Sequence, residues 1–450
     1  MPKVEIHLEI TVSSEPADVN QVIALFQQIQ ARIGPAMVAS YLEATQNTAL
    51  DEVLGPKWAD EPQRQAPWVC PRCRSQEGFR RRGSRCRTLR KSSLGAVPFA
   101  LRQVSCNQCQ GTFSPFPEWF GLEPYQVSTS EFQAKAVRVA CQATYARSVG
   151  FVRDLAGVDV STTAVHSWVQ SQGERVVFDA ARADSQTVLL DSTMVRAGPN
   201  KRGTDLNLAL SIEGRHWTGG RPGLEIHPVC FGVGEAWAQS GRELTRHQPA
   251  RLVYDGDEAV THWAERSFAG VPKQRCIWHA IRQLYLPLRE DGLNKSQARV
   301  WMDQLYDIFS QGQDPVSRTR SGVNTMIQQL GEQGYSHGAR YLERAEPFLL
   351  TYLESPDGMF FDEARLQPCA IRATSPVERQ MREINRRTDV GARWRISGVA
   401  NLIGLDLVRR FDPAQWNTLW NLSLPEKACS LDVKLHLRLS VRPPPNVNTT

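Results

Sequence analysis

The spacing of apolar and polar residues divides this chain into segments of different character. In residues 4–12, Val4, Ile6, Leu8, Ile10 and Val12 alternate with polar neighbours, the period of one half-buried strand. From 18 to 55 the apolar positions, including Val22, Leu25, Phe26, Ile29 and Ile33, recur at helical spacing, and Pro35 is expected to break that helix. Pro56–Pro67 is polar and Pro-rich and reads as a linker. Residues 131–172 return to the helical period. From 187 the pattern changes to short apolar, β-branched runs: VLLDSTMV, LNLALSIE, EIHPVCFGVG and RLVYD. These predict strands, some buried on both faces. A helix is expected from near Glu258, and QRCIWHAIRQL opens another strand-to-helix unit. Residues 280–355 read as mostly helical, with further helices over 375–388 and 397–410. The closing RPPPNVNTT is expected to be disordered. No internal repeat is visible.

A length of 450 residues allows two or three domains. With 41% hydrophobic and 22% charged residues, the composition excludes wholesale disorder, collagen and coiled coil. No apolar run approaches the roughly 18 to 20 residues of a membrane span, so no membrane partner is expected. The opening MPKVEIHLEITVSS lacks the apolar core of a signal peptide, and secretion is not expected.

Net charge is +6, and its distribution says more than its size. Residues 70–91 hold nine Lys/Arg against the single acid Glu77, and residues 379–395 hold six Arg against Glu383 and Asp389. Two basic clusters so far apart suit a long polyanion, with two solvated faces as the competing reading.

Four of the ten cysteines form two CxxC pairs, Cys70/Cys73 and Cys106/Cys109, 32 residues apart. Two such turns supply four thiolates for a closed tetrahedral site, which points to structural Zn²⁺. Between them, LRKSSLGAVPFALRQVSC suits a small antiparallel ribbon. Basic residues on or beside it, Arg81 and Arg82 among them, are placed for DNA phosphate. Downstream, SVGFVRDLAGVDVSTTAVHSWVQSQ has the rhythm of a helix-turn-helix, punctuated by Gly157 and with Ser161 as N-cap of the second helix. That helix would present Thr162, Thr163, His166 and Gln170, with Val160, Val165, Trp168 and Val169 in the core. A plain helical spacer has the same rhythm.

Three acids stand out. Asp191 ends the run TVLLD, Asp255 ends RLVYD, and Glu378 opens SPVERQMREINRR. Carboxylates at the ends of neighbouring buried strands, joined by one from a later helix, can hold hard divalent cations for phosphodiester chemistry. Each acid also has a plainer reading: Asp191 closing a strand, Asp255 with Gly256 in a turn, Glu378 completing a capping box with Ser375. Asp257 competes with Asp255, which is favoured because it directly follows RLVY.

LLDST, VYDGD, Cys276-Ile-Trp-His279 and SPVERQMREINRRTDVGARW together resemble the DDE transposases of prokaryotic insertion sequences, within the mutator-like group. The resemblance covers roughly 187–410, and the amino-terminal order of helices, CxxC ribbon and helix-turn-helix is similar to one subset of these proteins. It implies an α/β fold with an RNase H-like core and a helical insertion, preceded by a zinc ribbon and a helix-turn-helix-like helical domain. The implied divisions are 1–67 as strand, helix and linker, 68–116 as ribbon, and 117–183 as DNA-binding helices. The catalytic domain would be 184–425, interrupted at about 283–370, and 426–450 a tail. Asp191, Asp255 and Glu378 become the catalytic, Mg²⁺- or Mn²⁺-binding triad. Cys276 and His279 match the group's CxxH pair near the active site. One Cys and one His are half a zinc site, and no further ligand accompanies them in the sequence. Trp278 and Trp394 read as core or as platforms for an unpaired base. Arg379, Arg386 and Arg387 would hold DNA backbone beside Glu378.

The function implied is transposition. Terminal inverted repeats are bound, strands are cleaved, and a 3′-hydroxyl is transferred to target DNA by at least a homodimer, in the prokaryotic cytoplasm at the nucleoid. The alternatives are a repurposed, non-cutting DNA-binding protein and an RNase H-like enzyme that only hydrolyses.

Overall fold

The computed structural model describes residues 19–55, 65–218, 221–310, 316–354, 360–362, 367–369, 371–391 and 393–422. The strand expected at 4–12, most of the linker and the carboxyl-terminal tail lie outside the described residues.

The chain enters through one long helix, α1 (Val19–Leu54), which runs straight through Pro35 rather than breaking there. A proline removes one helical N–H bond, and burial of the helix's second half outweighs that loss. Ala49, Leu50 and Val53 pack into the core of a three-stranded antiparallel sheet, with Trp68, Phe79, Phe99, Leu101 and Phe116. The sheet is β1 (Phe79–Leu89), β2 (Val97–Cys106) and β3 (Thr112–Phe113), in that order. A bulge between Arg81 and Gly83 shifts the β1 register. β2 lacks a strand partner over much of its β3-side edge, and α1 supplies the missing polar groups. Gln46 donates to the Ala100 carbonyl at 3.0 Å and accepts from the Arg102 N–H at 2.8 Å, while Glu43 accepts from the Ala100 N–H at 2.7 Å. Helix and ribbon therefore share a core and edge hydrogen bonds.

After the short α2 (Phe116–Trp119) come α3 (Ser130–Gln142), α4 (Tyr145–Ala156) and α5 (Thr162–Gly173). Thr129, Thr144 and Ser161 cap them, each hydroxyl accepting the third helical N–H. Gly157 ends α4 in the left-handed conformation, which costs glycine little. Val160, Val165 and Val169 are buried as expected.

A five-stranded mixed sheet follows: β4 (Thr187–Val195), β5 (Thr204–Thr218), β6 (Arg221–Val233), β7 (Arg251–Tyr254) and β8 (Lys273–Arg275). Their order is β6-β5-β4-β7-β8. The first three are antiparallel, and β7 and β8 run parallel to β4. α6 (Trp237–Ser240) and α7 (Glu258–Ser267) cover one face, against Val188, Leu190, Leu252 and Tyr254. α14 (Ser375–Thr388) and α15 (Ile396–Phe411) cover the other, against Leu189, Leu208, Leu210 and Val253.

Between β8 and α14 lies a helical block: α8 (Ile277–Gln283), α9 (Tyr285–Glu290), α10 (Lys295–Ser310), α11 (Val316–Glu332), α12 (Ser336–Ala345) and α13 (Thr351–Glu354). It builds its own core around Leu284, Leu288, Leu305, Phe309, Val323 and Leu342. The block closes on a short antiparallel pair, β9 (Phe360–Asp362) and β10 (Gln367–Cys369), for which no strand was expected. α16 (Pro413–Leu419) is the final element. Among the described residues no helix is long and apolar enough to cross a membrane.

Candidate active site and metal cluster

The four paired cysteines meet. Cys70 and Cys109 Sγ lie 3.6 Å apart, Cys73 and Cys106 Sγ 3.5 Å, and all four sulfurs fall within 4.8 Å of one another. A tetrahedral ion with Zn–S of about 2.3 Å needs sulfur separations of roughly 3.8 Å, so the cluster fits structural zinc. Both turns are built alike. The Arg74 N–H donates to the Cys70 carbonyl at 3.0 Å, and the Gln110 N–H to the Cys106 carbonyl at 2.8 Å. Arg74 and Gln110, each one residue past the second cysteine of its pair, both take positive φ, 61° and 56°. Backbone N–H groups of Cys73 and Arg72 aimed at Cys70 lower its thiol to about 7.

The sheet sets Asp191 and Asp255 near one another, but Glu378 has its ligand atom within 4.8 Å of Cys276 and His279 and not of both aspartates. β4 and β7 pair in parallel as far as Leu189 beside Val253, and Asp191 and Asp255 each lie two residues beyond that last pair. Side chains alternate along a strand, and Leu189 and Val253 face α14 and α15, so Asp191 and Asp255 continue those two rows. Glu378 arrives on that side from the first turn of α14. Burial pushes the Asp191 carboxyl up to about 7, and the charge of Asp255 adds to it. The Ser192 N–H and His279 work in the opposite sense, and Glu378 adds a smaller upward push.

Asp257 has another task. Its carboxylate caps α7, accepting from the Ala259 and Val260 N–H groups at 2.9 and 3.4 Å, while its own N–H donates to Asp255 Oδ1 at 2.9 Å, so Asp255 also serves the turn. Gly256 between them has φ 89°, and a Cβ there would lie 2.3 Å from Arg275 Nε, so the turn requires glycine.

Glu378 makes no capping box with Ser375; the N-cap is Thr374. The Thr374 hydroxyl donates to Glu378 Oε1 at 3.0 Å and lies 3.2 Å from His279 Nδ1. Its N–H points at Cys276 Sγ at 3.4 Å. Cys276 is itself the N-cap of α8, and its N–H donates to the Tyr254 carbonyl at 2.7 Å, next to Asp255. Burial opposes charge on both Cys276 and His279. Their mutual hydrogen bond outweighs it, with help from Thr374 for the thiol and from Glu378 for the imidazole, so the thiol is lowered and the imidazole raised. Thr374, fully buried, was not singled out in the sequence. Its signal is only its place, four residues before Glu378.

The remaining candidates divide. Thr162, Thr163 and His166 are exposed on α5, whereas Gln170 turns inward and accepts from Asn401 Nδ2 at 2.9 Å. Arg82 is exposed, but Arg81 is tied to the end of α1 through Asp51 at 2.5 Å and the Gly55 carbonyl at 2.9 Å. Arg379 and Arg386 are exposed, Arg386 pairing with Glu383 at 2.9 Å. Arg387, expected on the DNA-facing surface, is instead buried. It donates to the Ala140 carbonyl at 3.0 Å and lies over the rings of Trp394 (5.0 Å) and Tyr145 (5.7 Å). Trp394 is committed to the fold, its indole donating to the Thr388 carbonyl at 2.9 Å. Trp278 packs with Tyr306 and lies beneath Arg372.

No protein-family model matches this chain, and no curated protein does.

Proposed function

We propose that this protein is a DDE-type DNA transposase with an RNase H-like catalytic core. The observation that carries the reading is Asp191: a buried acid in the central strand, pushed up to about 7 by burial and by Asp255, with Glu378 acting on it from α14. Acids crowded in this way lack positive charge, and an oxygen-only donor set suits Mg²⁺ or Mn²⁺. Asp191, Asp255 and Glu378 would hold the ions. When bound, these supply activation of the attacking oxygen and charge neutralisation at the departing one. The strand order, Asp191 in the middle of β4 (which runs on to Val195 rather than ending at the acid as expected), Asp255 directly after β7, and the helical block before α14 also support an RNase H-like reading.

The protein's own residues then have distinct tasks. The Thr374 hydroxyl, 3.2 Å from His279 Nδ1, donates to the Glu378 carboxylate, which lies 3.5 Å from the same ring nitrogen. Exposed Arg379, Arg382 and Arg386 lie along the same helix, suited to the phosphates on either side of the scissile bond. Thr162, Thr163 and His166 on α5 would reach base edges of a terminal inverted repeat. In the first step water attacks phosphorus and the 3′-oxygen leaves. In the second, that freed 3′-hydroxyl attacks a target phosphate, so one phosphodiester forms as another breaks. Two element ends must be joined, so the working assembly is at least a dimer on DNA.

The test uses labelled duplexes taken from the DNA flanking the coding sequence, incubated with the full chain and Mg²⁺. Nicking at a fixed position followed by joining to a second duplex is the expected result, and Asp191→Asn should bind the duplex without cutting it. Binding without cutting by the wild type would leave a repurposed DNA-binding protein. Cutting without joining would leave a hydrolase.

A further inference from the structure

We propose that Cys276, His279 and Glu378 form a second cation site, one that takes a zinc-class transition metal and competes with Mg²⁺ for the Glu378 carboxylate. The competition rests on reading Glu378 as a catalytic acid; the binding site does not.

The structure supplies the third ligand that the sequence conceals, 99 positions beyond His279. Cys276 Sγ, a ring nitrogen of His279 and a Glu378 oxygen all lie within 4.8 Å of one another. The His279 Nδ1 to Glu378 Oε1 distance is 3.5 Å. Ligand atoms around tetrahedral zinc stand roughly 3.3–3.8 Å apart, so a small closure of side chains completes three corners. The fourth corner stays open to water or to a substrate oxygen.

Three further features fit a metal rather than a packed pair. Cys276 and His279 stand three residues apart around the first turn of α8, which sets both on one face. The Thr374 N–H aimed at Cys276 Sγ stabilises a thiolate, and the Thr374 hydroxyl beside His279 Nδ1 orients the ring, as groups just outside a metal's ligands do. Thiolate and imidazole favour zinc-class ions, whereas magnesium takes oxygen.

Glu378 belongs to both sets. Its side chain retains 32% exposure, so the carboxylate has room to turn toward either the Asp191 and Asp255 pair or the Cys276 and His279 pair. An ion on the sulfur side draws it away from the oxygen-only cluster. Zinc would then act as an off-switch for Mg²⁺-dependent cleavage.

The experiment counts zinc first and measures activity second. Full-length protein equilibrated with Zn²⁺ should retain two ions per chain, one in the ribbon and one here. Cys276→Ser and His279→Ala should each retain one, with circular dichroism and thermal melting of that one-zinc form matching the wild type. Co²⁺ added to the protein with its ribbon zinc in place should give a sulfur-to-cobalt charge-transfer band that Cys276→Ser lacks. In the cleavage assay, the Zn²⁺ concentration that halves each protein's own rate should rise at least tenfold in either variant. One zinc in the wild type, or two in both folded variants, overturns the site. Two zinc ions with variant-dependent loss, but no cleavage of any duplex, upholds the site and counts against the transposase reading alone.

Discussion

Asp191 disfavours folding when it is charged, and in the proposed reading that same charge would hold a cation. Its carboxyl moves from an ordinary 3.8 to about 7, chiefly through burial. The folded chain therefore holds that proton more tightly than the unfolded chain. Stability contributed by the group is full below about pH 4, falls as pH rises toward 7, and stays reduced above it, by on the order of 4 kcal/mol. In metal-free buffer Asp191→Asn should melt higher than the wild type at pH 8 and coincide with it at pH 4. Mg²⁺ should raise the wild type at pH 8 and leave the variant unmoved. Identical pH profiles would show that the acid is not perturbed. The Thr374 hydroxyl, shared between His279 and Glu378, gives a second prediction. A hydrogen bond to a charged group is worth roughly 1.5–3 kcal/mol, so Thr374→Val should slow single-turnover cleavage about 10- to 100-fold while duplex affinity holds. At this scale the sequence was only partly legible. Asp255 and Glu378 stand out by type and position, but nothing in the sequence says that Asp257 caps α7 while Asp255 accepts the Asp257 N–H. Arg387 looked like one more solvated arginine in a basic run. The periodicity held the correction: Val377, Met381, Ile384 and Thr388 mark the inner stripe of α14, and Arg387 is three residues past Ile384.

The elements themselves were more legible where period and punctuation agree. Apolar runs bounded by turns gave β4 to β7, and Ser161 and Gly157 marked the ends of α5 and α4. What a local pattern cannot carry is partnership. Nothing in the sequence of α1 says that Gln46 completes the hydrogen bonding of β2, because the two groups are 54 residues apart. Gln46 is fully buried, so Gln46→Ala would strand the Ala100 carbonyl and the Arg102 N–H together. At roughly 1–3 kcal/mol for each stranded group, less whatever water recovers, the ribbon unit should lose about 2 to 4 kcal/mol in urea denaturation. A loss within experimental error would mean that another group covers this edge. Pro35 failed as a breaker for the same reason: tertiary packing of α1 outweighs one lost helical bond.

In the whole molecule, the four-cysteine cluster and the sheet domain have separate cores. Removal of zinc with a strong chelator should therefore expose the ribbon and α1 to protease while the sheet with α14 and α15 resists digestion. Uniform resistance across the chain would mean that the thiols hold the ribbon without metal. The proposed phosphate contacts belong to this scale too. Replacing Arg379, Arg382 and Arg386 with alanine should flatten the salt dependence of duplex binding by about one unit of logarithmic slope for each phosphate no longer neutralised. The helices α3 to α5 are not a loosely tethered module. Arg387 fixes Ala140 and Tyr145 to α14, and Gly173 lies so close to α15 that a Cβ would come within 2.4 Å of Asn401. A duplex gripped by α5 would consequently meet Asp191 at a constant offset, which makes the seam between α5 and α15 a ruler. Moving the recognised bases by about five base pairs turns the scissile phosphate to the far side of the duplex, so cutting should stop there and return at about ten, in step with the helical repeat of DNA.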